Sequence, residues 1–348
     1  VNAFTGKSAR RWVAIVLLVL VLMAGLVVAY FIRRNARLRP DFIQHDFLMD
    51  TFVTIRVPAG KGEVAQQAFA ELQRMEGLFN RHDPGSEVAR LNARAGRWVS
   101  ASPELLEVLA TVKEMAPATG GLFDVTVAPL LDLWGIGTDR AAVPDAAALA
   151  RAREWVGGEG LEVDRRGGRV KLARPGMAVD LGGIGKGYAI DRAVQVLTRA
   201  GVSGGLVEVG GDLYLLGRRG DGQPWRVGVQ HPRQDGATLG TLYLAGHAVA
   251  TSGDYQRFFE VGGVRYHHIL DPRTGKPGRT SISVTVVSRT VMEADLLSTG
   301  VFLMEPLEGL ALLERLPDVE GIIVDPAGRV LVTSGLQDEG RLPYFRPR

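Results

Sequence analysis

Residues Asp180 to Asp191 read Asp-Leu-Gly-Gly-Ile-Gly-Lys-Gly-Tyr-Ala-Ile-Asp, four glycines around one lysine. An acid stands in front and a helical pattern follows. Glycine lets the backbone turn freely and approach a ligand closely. A helix that opens directly after such a loop points its unbonded N–H groups and the positive end of its dipole at an anion. The segment reads either as a plain strand-to-helix turn with a surface lysine or as a phosphate-binding loop. It is not a Walker A loop, because Asp180 stands where that motif needs its first glycine and Gly187, not Ser or Thr, follows Lys186. The G-x-G-x-x-G dinucleotide order is absent as well.

Trp12 to Ile32 contains no charged residue. A bilayer span takes about 20 apolar residues, and Trp12 and Tyr30 sit where interface aromatics belong. A cleaved signal peptide has an apolar core of only about 7–15 residues and a small-residue cleavage site. This run is longer and lacks such a site, so an uncleaved transmembrane anchor is expected. Basic residues flank both ends, and charge alone does not orient it. The expected organisation is a tail over residues 1–11, the anchor over 12–32, a basic linker over 33–40 and one domain over 41–348. The net charge of +3 owes much to the N-terminal arginines, and the rest of the chain has no nucleic-acid footprint. The chain has no cysteine, which excludes disulfides, thiolate metal sites and a cysteine nucleophile.

Helices are expected over Glu63–Phe79, Pro103–Ala116, Ala142–Trp155, Ile184–Arg199 and Thr290–Met304, the last opened by a Thr290/Glu293 capping box. Strands are expected at Phe52–Val57, at a Leu161–Asp164/Arg169–Leu172 hairpin, and in a crowded series from Gly205–Val209 to Ser281–Ser288 that includes Tyr266–Leu270. Strands and helices are segregated, which predicts an α+β fold of mixed, largely antiparallel sheets with packed helices.

Asp295 and Thr299 are four apart on the last helix and share a face. Carboxylate and hydroxyl oxygens suit Mg²⁺ or Ca²⁺ rather than zinc. A carboxylate on so apolar a helix needs a partner. His267 and His268 adjoin in a strand and point to opposite faces, so at most one lines a site. Gly120 to Thr126 offers a glycine turn with an acid and a hydroxyl, and Glu208 to Asp212 sets two acids around a glycine pair. No G-x-S-x-G elbow supports a serine hydrolase. A phosphate loop, a hard-metal helix and a histidine together suit the breaking of a phosphoanhydride.

Blocks in order carry a resemblance: Gly-Leu-Phe-Asp-Val-Thr-Val-Ala-Pro-Leu, Leu-Trp-Gly-Ile-Gly, the Asp180–Asp191 segment, Val-Glu-Val-Gly-Gly-Asp, Ala-Thr-Ser-Gly-Asp-Tyr, His-Ile-Leu-Asp-Pro-Arg-Thr-Gly and Ala-Asp-Leu-Leu-Ser-Thr. From about Phe47 to about Met304 the chain resembles the FAD:protein FMN transferase (ApbE) family. The resemblance implies a Mg²⁺-dependent enzyme, anchored on the outer, periplasmic side of the bacterial inner membrane. Such enzymes attach the FMN half of FAD through a phosphoester to a threonine or serine of a partner, a subunit of a membrane redox complex, and release AMP. It also implies Mg²⁺ ligands at Asp295, Thr299 and the Gly183 carbonyl. His268 would be the base for the acceptor hydroxyl, and Lys186 would lie near the pyrophosphate. Met49, His82, Leu122, Phe123, Asp124, Asp180 and Ile269 would contact the nucleotide.

Three features depart from the family pattern. Asp50 stands where a glycine is usual, His82 where many members carry an aromatic residue, and Gly183 and Gly185 where alanines are common, which predicts a looser loop. Two other readings use the same residues. One is FAD hydrolysis to FMN and AMP with water as acceptor; the other is an FAD-binding carrier without turnover.

Overall fold

The computed structural model describes Trp12, residues 15–28 and residues 41–348. Residues 15–28 are helical (α1) with exposed side chains. Among the described residues no helix is long and apolar enough to cross a membrane. Residues 13, 14 and 29–32 of the Trp12–Ile32 run and the basic linker lie outside the described residues.

Eight strands form one sheet in the order β1-β2-β6-β7-β10-β13-β14-β15, every neighbouring pair antiparallel. They are β1 (Phe42–Leu48), β2 (Thr51–Val57), β6 (Gly205–Val209), β7 (Asp212–Leu216), β10 (His247–Gly253), β13 (Ser283–Ser288), β14 (Glu320–Val324) and β15 (Val330–Val332). Smaller sheets join β3 (Val99–Ser100), β4 (Leu161–Asp164) and β5 (Arg169–Leu172), then β8 (Trp225–Gln230), β9 (Thr238–Leu244) and β16 (Tyr344–Pro347). A hairpin pairs β11 (Phe258–Val261) with β12 (Val264–His267). The helices are α2 (Gly62–Phe79), α3 (Glu87–Ala93), α4 (Pro103–Met115), α5 (Ala128–Trp134), α6 (Ala146–Arg153), α7 (Gly185–Arg199), α8 (Val291–Phe302) and α9 (Pro306–Arg315).

The large sheet is the middle of three layers. Helix α2 packs on α7, α7 on α8, and α8 on β10 and β13. The period of two sorts the side chains of the central strands. Ala248, Ala250, Val284, Val286 and Ile323 join the core under the helices. Their neighbours Val249, Val287 and Ile322 point the other way, into a second core shared with Trp225, Leu242 and Phe345 of the three-stranded sheet. Burial on both faces explains why these strands read as near-continuous apolar runs.

The α+β expectation holds, with corrections. The helix expected over Ala142–Trp155 is Ala146–Arg153, because Pro144 disfavours helix before it and Asp145 caps the start, accepting from Ala148 N at 2.7 Å. The strand expected to reach Leu270 stops at His267. There the buried His267 ring holds the Gly278 carbonyl at 2.8 Å and the Ile269 N–H at 3.3 Å, which bends the chain out of its ladder. The capping box of α8 is half formed. Thr290 Oγ1 accepts from Glu293 N at 3.3 Å, but the Val291 and Met292 N–H groups donate to Asp191 of α7 at 2.8 and 2.9 Å.

Candidate active site

The site lies where α7 and α8 cross. A Cβ on Gly187 would sit 2.5 Å from the Val291 carbonyl oxygen, so only glycine lets the two backbones meet this closely. The approach lets Gly187 N donate to Asp295 Oδ2 at 3.2 Å. Gly187 is the third residue of α7, so its N–H is one of the first-turn donors that a helix leaves without an internal partner. The Gly183 carbonyl lies before the helix and accepts no backbone hydrogen bond among the described residues, which leaves it available to another partner.

Thr299 stands one turn beyond Asp295. A Cβ built on Gly183 would lie 3.2 Å from Thr299 Oγ1 and 3.1 Å from the Phe123 ring, so the loop, the hydroxyl and Phe123 share one wall. Ser252 of β10 shares hydrogen bonds with Thr299 Oγ1 at 3.1 Å and Ser298 Oγ at 2.9 Å, which fixes the threonine rotamer.

Lys186 sits in the first turn of α7, whose preceding residue, Ile184, provides no side-chain cap. Its ammonium is ion-paired with Asp212 Oδ2, and Asp212 Oδ1 accepts from Thr251 N at 3.2 Å. Asp212 and Asp295 are only 2% and 4% exposed. Two buried carboxylates facing one ammonium leave one net negative charge, which a cation or a proton must balance. Burial pushes Asp295 up to about 7 despite the opposing pull of Lys186, and the Asp212 charge adds to the rise. Burial alone would discharge Lys186, but Asp212 and Asp295 outweigh it and hold the ammonium charged. Among the described residues no group of three or more His, Cys, Asp or Glu side chains forms a metal cage. The donor set is one carboxylate, one hydroxyl and one carbonyl around a spare negative charge. Such hard oxygens with room for water and phosphate fit Mg²⁺, which seldom uses an all-protein cage.

His268 is half-buried, with Nδ1 3.3 Å from the Arg257 carbonyl. Burial lowers it to about 4, with nearby His267, Arg257 and Lys186 adding to the effect. The ring is therefore neutral at pH 7, as a general base requires. His267 is the inward, structural member of the pair, edge-on to Phe302.

The remaining expected contacts divide. Met49 occupies the two-residue turn between β1 and β2 and donates its N–H to Glu76 at 3.0 Å. That turn abuts the Gly210-Gly211 turn leading into Asp212, where Gly210 N donates to the Phe52 carbonyl at 3.0 Å. Leu122, Phe123 and Ile269 are buried in the core wall. Asp124 is already committed: Oδ1 accepts from Thr126 N and Oγ1 at 2.8 and 2.7 Å, and Oδ2 from Gly158 N at 2.9 Å. It is therefore a clamp between two loops, and burial raises it. Asp180 is likewise engaged, with Oδ1 accepting from Gly182 N at 2.7 Å and Oδ2 2.6 Å from Arg81 Nε. His82 is exposed, beside Arg81 on the turn that follows α2. Sequence reasoning missed Asp212 as the partner of Lys186, Ser252 as the holder of Thr299 and Asp191 as the cap of α8. Only the Gly-Gly-Asp turn carried any signal, as an acid at a strand junction.

The ApbE family model matches residues 49–323. Among similar proteins is an FAD:protein FMN transferase of Treponema pallidum (strain Nichols), 34% identical over 331 residues and covering 88% of this chain and 91% of the relative. Another, from Klebsiella pneumoniae (strain 342), is 36% identical over 68% of this chain and 70% of its own length. Among solved structures, the ApbE protein of Thermotoga maritima superposes with a TM-score of 0.80 at 35% identity, covering 85% of this chain and 97% of the other. The apo flavinyl transferase ApbE of Pseudomonas stutzeri does so with a TM-score of 0.75 at 32% identity, covering 85% and 96%.

Proposed function

The chain belongs to the ApbE family, and from that membership we propose that it is an FAD:protein FMN transferase. It moves the FMN half of FAD onto a threonine or serine hydroxyl of a partner protein and releases AMP. The observation that carries this reading is the meeting of Lys186, Asp295, Thr299 and the unbonded Gly183 carbonyl at the start of α7.

The chain supplies no nucleophile; the partner's hydroxyl does. His268 accepts that hydroxyl's proton as the new O–P bond forms at the FMN phosphorus and the anhydride bond to AMP breaks. Lys186 and the α7 N-terminus present positive charge to the phosphates, and Asp212 keeps the ammonium aimed. Asp295, Thr299 and the Gly183 carbonyl would hold Mg²⁺, which when bound neutralises the pyrophosphate and the leaving group. Met49, Leu122, Phe123 and Ile269 would form the wall beside the flavin nucleotide. Asp124, Asp180 and His82 act at most through the loops they hold or sit on.

The charge-free run over Trp12–Ile32 supports a membrane-anchored enzyme, and its family membership supports placing the domain on the periplasmic side of a bacterial inner membrane. Its acceptor would then be a subunit of a membrane redox complex.

The test is mass spectrometry of a threonine-bearing acceptor incubated with the protein, FAD and Mg²⁺. The acceptor should gain the mass of an FMN phosphoester and AMP should appear. Asp295→Ala should give neither while keeping its circular dichroism. Full turnover in that variant would reject the metal assignment, and AMP release at an equal rate without acceptor would turn the reading to FAD hydrolysis.

A further inference from the structure

A second cavity opens on the His267 side of the 267–278 segment, the side opposite His268. It is lined by Arg233, Arg265, Arg279, Asp254, Gly278 and Ser281. Gly278 is the residue whose carbonyl the His267 ring holds.

The charges do not cancel. Arg233 gives both outer nitrogens to Asp254, at 2.7 and 2.6 Å. Arg265 reaches Asp254 at 3.7 Å and Glu260 at 3.2 Å. Arg279 has no carboxylate partner among the described residues and lies 5.5 Å from the centre of the Tyr266 ring. Three guanidinium groups thus face two carboxylates. Ser281 is 2% exposed, and its hydroxyl has no hydrogen-bond partner among the described residues. A buried polar group left so in a native fold calls for a ligand or an ordered water.

We infer that this cavity binds an oxyanion, a carboxylate or a phosphate, at a site separate from the one that takes the phosphates of FAD. The guanidinium of Arg279 matches the planar fork of such a group, and the Ser281 hydroxyl donates to it. The oxyanion is either free in solution or an acidic side chain of the acceptor polypeptide. In the second case it would anchor the acceptor on the face of the 267–278 segment opposite His268.

Thermal melting of the full chain in nanodiscs, with inorganic phosphate against chloride at matched ionic strength, tests binding. Phosphate should raise the melting temperature of the wild type, and Arg279→Gln and Ser281→Ala should each weaken its apparent Kd tenfold or more. Phosphate held at Lys186 would be indifferent to both changes, so an unaltered Kd in both variants overturns the inference. Transfer kinetics at saturating FAD then separate the two sources. If the anion is the acceptor's, Arg279→Gln raises the acceptor KM several-fold at constant kcat and phosphate competes with the acceptor. If it is free, the acceptor KM does not move.

Discussion

Asp50 holds a left-handed backbone with φ 58°, next to Met49 at φ 54°. Two such residues in a two-residue hairpin make the turn that glycine favours at little cost and most side chains resist. Asp50→Gly should therefore raise stability by about 0.5–1 kcal/mol, read as a shift of about 2 °C in the melting temperature. A fall would show that the carboxylate has a stabilising contact. It would also remove a negative charge near a dianionic ligand, so FAD should bind no more weakly. His268 gives a pH signature. Its folded value, about 4, lies below the ordinary 6.5, so the unfolded chain takes up the proton first. The stability gained from a neutral ring is complete above about 6.5 and is lost as pH falls toward about 4. In transfer assays the acid limb assigned to this group should lie near 4; a limb at 6.5 that disappears in His268→Gln would refute the lowered value. Asp295 and Thr299 were legible because an i,i+4 pair lies on one helix. Asp212 and Ser252 were not, because they reach the site from strands whose pairing no local spacing reveals.

Helices α7 and α8 form one mechanical unit. Asp191 of α7 caps α8 through two N–H groups, and Gly187 is the contact that lets Asp295 reach α7. Asp191→Ala should cost about 1–2 kcal/mol, the usual loss for a cap, measured by denaturant unfolding; a change below about 0.3 kcal/mol would show the two bonds to be unimportant. Gly187→Ala must push the helices apart, and overpacking of this kind costs about 1–3 kcal/mol. Gly185 differs: a Cβ there meets Leu181 Cβ at 3.3 Å and the Phe79 ring at 3.6 Å. Gly185→Ala should cost less than Gly187→Ala, because the Leu181 contact calls for a shift of only a few tenths of an ångström. The looseness read into this loop from its glycines is thus confined to Gly185, since the place of Gly183 is fixed by Phe123 and Thr299. Strand β1 escaped the sequence reading because an edge strand exposes residues on both faces, Ile43 and Phe47 on one and Asp46 on the other, and shows no clean alternation.

The three layers hold two of the core clusters, a third packs α5 and α6 against Leu270, and the buried side chains of all three lie between Leu48 and Phe345 among the described residues. Nothing in those clusters comes from residues 15–28, whose large apolar side chains are 48–68% exposed. Such a surface is too apolar to remain in water uncovered. The expected outcome is a clean division of labour. The full chain should enter the detergent-rich phase on Triton X-114 partitioning, whereas a chain starting at Asp41 should stay in the aqueous phase and melt within about 1 °C of the full chain. The second half follows because stability is set by buried area, and the shortened chain keeps every core residue among those described. Full chain found in the aqueous phase would refute the anchor. A shortened chain that melts several degrees lower would show that the first forty residues cover part of the domain, and the exposed Phe47 and Phe52 pair at the β1–β2 tip, ring centroids 5.7 Å apart, would be the place to look for that contact.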